Sequence, residues 1–124
     1  MIYSILKDLL KSTKKLGVDL FLLDDGWFGS RRNDKSGLGD WFVSPDVYPN
    51  GLAPLISHVR KLGMDFGIWV EPEMVNPNSD LFRAHPEWVL MAASYEPVLA
   101  RNQLVLNLAH PDAYAHIYGQ LDAL

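Results

Sequence analysis

The chain contains no cysteine. That excludes a disulfide framework, thiolate metal sites and a cysteine nucleophile. Positive charge is also scarce. Lys and Arg number 11 against 15 Asp and Glu, for a net charge of −4. Such a chain carries no electrostatic footprint for nucleic acid. Long apolar runs are missing too. None approaches the roughly 18 residues of a membrane span, so no membrane partner is expected. The opening Met1-Ile-Tyr-Ser-Ile-Leu-Lys-Asp lacks the basic start and long apolar stretch of a signal peptide, and a cytoplasmic location is expected. No Gly-x-Gly-x-x-Gly follows an apolar strand, and no phosphate loop, Gly-x-Ser-x-Gly elbow or His-Glu-x-x-His occurs. His58, His85, His110 and His116 show no ligand spacing and read as surface or loop residues. Neither a cofactor nor a metal is expected.

What is present suffices for a core: 48% of residues are hydrophobic and 21% charged. A chain of 124 residues is one small domain or part of one. A repeat organises it. Lys15-Leu-Gly-Val-Asp-Leu-Phe-Leu-Leu23 returns as Lys61-Leu-Gly-Met-Asp-Phe-Gly-Ile-Trp69. Each copy reads as a helix end, a capping glycine and a short strand. The runs Leu20–Leu23 and Phe66–Val70 are continuously apolar, the pattern of strands covered on both faces. Before each lies an amphipathic helix. The first carries Ile2, Ile5, Leu6, Leu9, Leu10 and Leu16, with Lys7, Lys11 and Lys14 on its solvated side. The second carries Leu52, Leu55, Ile56, Val59 and Leu62, with Pro54 near its start. A short helix is expected over Ser79–Ala84. A third strand is expected over Leu104–Leu108, after a polar turn, and then a helix over Pro111–Leu124. Strands alternating with helices point to parallel βα units: a (β/α)8 barrel or an open doubly wound sheet. The absent nucleotide motifs weigh against the open sheet.

Chemistry-bearing residues follow the strands. Leu20–Leu23 runs into Asp24-Asp25-Gly26-Trp27, and Phe66–Val70 into Glu71-Pro72-Glu73. Arg101-Asn102-Gln103 precedes the third run. Sites in α/β domains lie at the carboxyl ends of strands. Asp-Asp-Gly also makes an ordinary turn. Two adjacent acids after a buried strand, however, repel each other and need hydrogen-bond donors or a ligand. Sugar hydroxyls are such donors, and an indole face suits the C–H face of a pyranose. Trp69 reads as core or as facing the mouth. Glu71 and Glu73 point in alternating directions, so that one can reach a site while the other caps or pairs. Arg101 alone reads as a surface arginine. Trp41 and Trp88 fall in peripheral segments, where loop packing is their simplest role.

With these residues in hand, the chain resembles the α-galactosidases of glycoside hydrolase family 36, the melibiase type. The matching segments run through residues 16–29 (Leu-Gly-Val-Asp-Leu-Phe-Leu-Leu-Asp-Asp-Gly-Trp-Phe-Gly), 38–41, 49–52, 66–75 (Phe-Gly-Ile-Trp-Val-Glu-Pro-Glu-Met-Val), 83–90 and 101–108. The resemblance implies an α/β fold: part of a (β/α)8 TIM barrel, from the parent's helix 1 to helix 4, with strands 2–4. Residues 1–124 are then an incomplete N-terminal portion of that catalytic domain. It implies hydrolysis of terminal α-linked galactose with retention, on oligosaccharides of the melibiose and raffinose type, by a homo-oligomeric parent. Asp24, Asp25, Trp69 and Arg101 match the family's sugar-contacting positions. Trp27, Glu71 and Glu73 are candidates to support them from behind.

The family's nucleophile, in a Lys-Trp-Asp-Met-Asn-type strand, and its acid/base aspartate match nothing in these residues, and Asn107 stands where the family often has aspartate. The chain alone is therefore expected to be inactive. A galactose-binding module and a purely structural remnant are the alternatives. A slice of a barrel also leaves sheet edges unpaired and one sheet face uncovered, so self-association or loose packing is expected.

Overall fold

The computed structural model describes residues 2–92 and 99–124, without the side chains of Ile2 and Tyr3, so the expected place of Ile2 on the first apolar stripe lies outside the described residues. The elements are α1 (Ile2–Lys15), β1 (Leu20–Leu23), α2 (Ala53–Lys61), β2 (Asp65–Ile68), β3 (Met74–Val75), α3 (Asp80–Ala84), a 3-10 turn (Pro86–Trp88), β4 (Leu104–Val105) and α4 (Pro111–Asp122). They form two compact units: Met1–Trp27 with Val43–Trp69, and Phe28–Phe42 with Val70–Leu124.

The first unit is the sequence repeat made structural. Two helix–strand pairs lay β1 beside β2 in parallel, with Leu20 opposite Asp65 and Leu23 opposite Ile68. Each helix closes on a left-handed glycine, Gly17 at φ 84° and Gly63 at φ 72°. There an L side chain would crowd its own backbone. Pro54 stands in the first turn of α2, where its missing N–H breaks no helical bond. Lys14 is not merely on a solvated face. Its ammonium donates to the Gly63 carbonyl at 3.2 Å and meets Asp19 at 3.3 Å, tying the helix–strand junction of one copy to the equivalent junction of the other.

The strands depart from expectation in their burial. They read as covered on both faces, yet Leu20 and Leu22 are 57% and 54% exposed. Opposite Leu22 stands Gly67, and a Cβ there would lie 2.9 Å from the Leu22 Cδ1. The glycine lets Leu22 lie across the ribbon, but it supplies no apolar cover. The other face carries Phe21 against Phe66, with ring centroids 6.0 Å apart, and the buried Leu23. The α1 stripe is likewise half used: Leu10 is buried, whereas Ile5 and Leu9 are exposed.

The second unit is built differently. The run Leu104–Leu108, expected as a third parallel strand, forms only β4, which pairs antiparallel with β3. The cause is local. On one side the Leu106 N–H donates to the Glu73 carbonyl. On the other, Leu106 bridges Val89, the Leu90 N–H donates to the Val105 carbonyl and the Asn107 N–H donates to the Trp88 carbonyl. Segments 73–75 and 88–90 thus satisfy its main chain from both sides. Trp41 and Phe28 are fully buried and pack at 4.5 Å. Trp88, expected at the periphery, is also buried. It stacks on His85 at 3.8 Å and lies 5.8 Å from both His110 and His116. Three of the histidines expected as surface or loop residues thus lie round one indole, His85 and His110 half-buried and His116 exposed.

Candidate functional site

In the first unit, β1 and β2 end side by side, and one step past the Leu23–Ile68 pair stand Asp24 and Trp69. Trp69 lies just beyond β2 rather than inside a longer strand. Its N–H still donates to the Leu23 carbonyl at 2.9 Å, and its carbonyl accepts from the Trp27 indole at 2.9 Å. Its backbone is therefore clamped on both sides while its side chain is only half-buried. Trp69 is thus neither sealed into the core nor loose. Trp27, by contrast, is 0% exposed. Its ring face is not open to a ligand, and its role is to anchor Trp69 from behind.

Asp24 and Asp25 are exposed at the strand end. The burial expected of this acidic pair is therefore not found. Two carboxylates beside a half-buried indole form a rim rich in acceptors, suited to a ligand rich in hydroxyl donors.

Glu71, Glu73 and Arg101 belong to the second unit. The Glu71 carboxylate accepts from the Gln103 amide at 3.5 Å. Glu73 is exposed, and its main-chain carbonyl accepts from Leu106. The alternation across Pro72 thus gives one glutamate with a side-chain partner and one facing solvent. Arg101 is exposed, in the turn between Ala100 and Gln103.

The sequence reading missed the polar framework beneath these residues. Asp40 is 2% exposed, and its two oxygens accept the N–H groups of Asp80 and Leu81 at 2.9 and 3.0 Å. It caps α3 from forty residues away, beside the local cap Ser79, whose hydroxyl accepts from Phe82 at 3.0 Å. Burial raises the Asp40 carboxyl above its ordinary value of 3.8, against the pull of those two N–H donors. Asn76 is fully buried among Leu38, Arg31 and Asn102. The available signal was Ser79 followed by Asp80, a cap pattern; nothing local pointed to Asp40 or Asn76. Among the described residues, no three of His, Asp and Glu gather as a metal site.

A parallel βα ribbon with acids and an indole at its carboxyl end is the site architecture of α/β enzymes. The chain belongs to the Melibiase family, whose model matches residues 3–124. The α-galactosidase of Escherichia coli is 56% identical over 103 residues, 83% of this chain and 14% of that protein. A bifunctional α-galactosidase/sucrose kinase of Mediterraneibacter gnavus is 46% identical, over 92% of this chain and 12% of its own length. Among solved structures, the family 36 α-galactosidase AgaB of Geobacillus stearothermophilus superposes with a TM-score of 0.90 at 47% identity, covering 95% of this chain and 16% of that one. A variant of AgaA from the same organism, solved with raffinose, gives 0.89 at 42% identity, over 97% of this chain and 17% of that one. The chain therefore spans less than a fifth of the length of these relatives.

Proposed function

We propose that the protein carrying these residues is a retaining α-galactosidase that removes terminal α-D-galactosyl groups from oligosaccharides of the melibiose and raffinose type, and that it works as a homo-oligomer. Residues 1–124 are part of its (β/α)8 catalytic domain, from helix 1 to helix 4 of the parent. Their task is to hold the sugar. Asp24 and Asp25 accept hydrogen bonds from galactose hydroxyls, Trp69 offers its indole to the sugar's C–H face, and Arg101 donates to a ring substituent. Trp27 fixes Trp69, while Glu71 and Glu73 support the sugar-contacting residues. Retention requires two carboxyls about 5–5.5 Å apart, one as nucleophile and one as acid/base. Neither is assigned to a residue of this chain, so these 124 residues bind without catalysing.

The observation that carries this reading is Asp24 standing level with Trp69, whose backbone is held by Leu23 and Trp27. A rim that merely turned the chain would not need a tryptophan whose main chain is fixed at both its N–H and its carbonyl. The test is titration of the 124-residue chain with galactose, followed by NMR. Shifts at Asp25 and at the Trp69 indole are expected. No shift near Asp25 at high galactose overturns the reading. In parallel, the chain should not turn over an aryl α-galactoside; clear turnover would show that a catalytic carboxyl pair lies within it.

A further inference from the structure

Arg101 and Asn102 are the only non-glycine residues at positive φ among the described residues, at 53° and 55°. They form the centre of a two-residue hairpin: Ala100 bridges Gln103, whose N–H donates to the Ala100 carbonyl at 3.0 Å. Positive φ at both central positions is the pattern of a type I′ turn, favoured by glycine and asparagine. An arginine there is held against its own backbone preference, so the turn needs a restraint beyond its closing hydrogen bond.

Asn76 supplies one. Its Nδ2 donates to the Asn102 carbonyl at 2.9 Å. Its Oδ1 accepts from the Leu38 N–H at 2.8 Å and faces the Arg31 Nη1 at 3.5 Å. Its own N–H donates to the Leu38 carbonyl at 3.0 Å. The carboxamide can sit in one orientation only, because a flip would aim its NH2 at two donors and its oxygen at a carbonyl. The side chain is fully buried, so water cannot replace any of these partners.

We propose that Asn76 is a positioning residue for Arg101: its amide locks the left-handed turn that presents the guanidinium to the galactoside. This rests on the reading of Arg101 as a sugar contact. Asn76→Asp isolates the lock. The substituted side chain keeps its acceptor towards Leu38 and Arg31 but turns an oxygen, not a donor, on the Asn102 carbonyl.

The experiment is NMR of the 124-residue chain titrated with D-galactose, comparing the native sequence with Asn76→Asp. In Asn76→Asp, the galactose-induced shifts at Asp24 and the Trp69 indole persist, those at Arg101 vanish, and affinity falls about tenfold, the size of one lost hydrogen bond. General loss of structure would abolish both sets. Undiminished Arg101 shifts in Asn76→Asp overturn the inference and leave the functional reading standing. Absence of galactose shifts in the native chain overturns that reading itself, and this inference with it. A measurement independent of any variant's folding is hydrogen exchange of the native Asn76 side-chain amide. Slow exchange is expected, and exchange at the rate of an exposed amide overturns the proposal.

Discussion

The two units reach order by opposite means. The first is regular: two helix–strand copies in parallel register, left-handed glycines at equivalent places, short turns. Yet its ribbon leaves Leu20 and Leu22 open, and its first helix leaves Ile5 and Leu9 open. The second is irregular, with two-residue strands and a five-residue helix. Yet it buries Trp41, Phe28, Val75 and Asn76 completely, and it joins its loops through Asp40, Asn76 and Ser79. Regular hydrogen bonding and a closed core are separate achievements. A parallel ribbon satisfies its backbone early but needs other layers to cover its faces. A loop cluster must satisfy its backbone through side chains, and doing so closes it.

The sharpest way to break the comparison is to remove a large side chain from each unit. Trp41→Ala opens a cavity in the second unit and should cost about 3–5 kcal/mol. That is a large share of the roughly 5–15 kcal/mol that stabilises a domain. Urea unfolding followed by near-UV circular dichroism should lose the second unit's cooperative transition. A loss under about 1 kcal/mol would show that its burial contributes little. Next in size is Asp40→Ala, which strips two N–H groups at the start of α3 of their acceptor and should cost about 2 kcal/mol. Asp40→Asn, which keeps one acceptor oxygen, should cost less. The acid limb adds a signature. Because burial raises the Asp40 carboxyl in the folded state, the folded chain holds its proton more tightly than the unfolded chain does. Its contribution is therefore full below the ordinary value of 3.8 and falls as pH rises through the folded value. Asp40→Asn should abolish that decline in a pH series of melts; an unchanged slope would assign it to another group.

In the first unit the matching experiment should have almost no thermodynamic effect. Leu20→Thr with Leu22→Thr alters side chains that are mostly exposed, and threonine is a good strand residue. Each change should stay within about 0.5 kcal/mol. What should change is association. Sedimentation velocity should show the native chain self-associating through this uncovered ribbon and the double variant doing so less. A cost of several kcal/mol would mean that the ribbon's face is covered after all.

The first unit was the more legible in sequence, because its information is local and repeated. Gly17 and Gly63 mark helix ends, and the runs after them mark strands. β1 falls where Leu20–Leu23 predicts it, whereas β2 begins one residue before the expected Phe66–Val70 and ends at Ile68, ahead of Trp69. Exposure was not legible, since a continuous apolar run states what a strand could bury and not what is there to cover it. The second unit resisted reading for the opposite reason. Met74–Val75 is too short for period-two alternation to register. The pairing of Leu104–Val105 depends on Glu73 and Val89, both distant in sequence. The rim acids were visible as a motif, whereas Asp40 and Asn76 look like ordinary loop residues until their partners are known.

The smallest expected effect tests whether the histidines round Trp88 belong to the closed core or merely border it. Burial lowers the His116 imidazole below its ordinary value of 6.5, aided by repulsion from His85 and opposed by Asp40. Between that ordinary value and the lowered one, the unfolded chain binds more protons than the folded chain. Stability should therefore be full above about pH 6.5 and decline as pH falls towards the folded value. Melts from pH 7.5 to 5.5 should show this decline in the native chain and a flatter profile in His116→Asn. The decline runs in the opposite direction to that of Asp40, so the two can be separated in one pH series. If His116→Asn leaves the profile unchanged, the imidazole is solvated in the folded chain and the second unit's closure stops at Trp88.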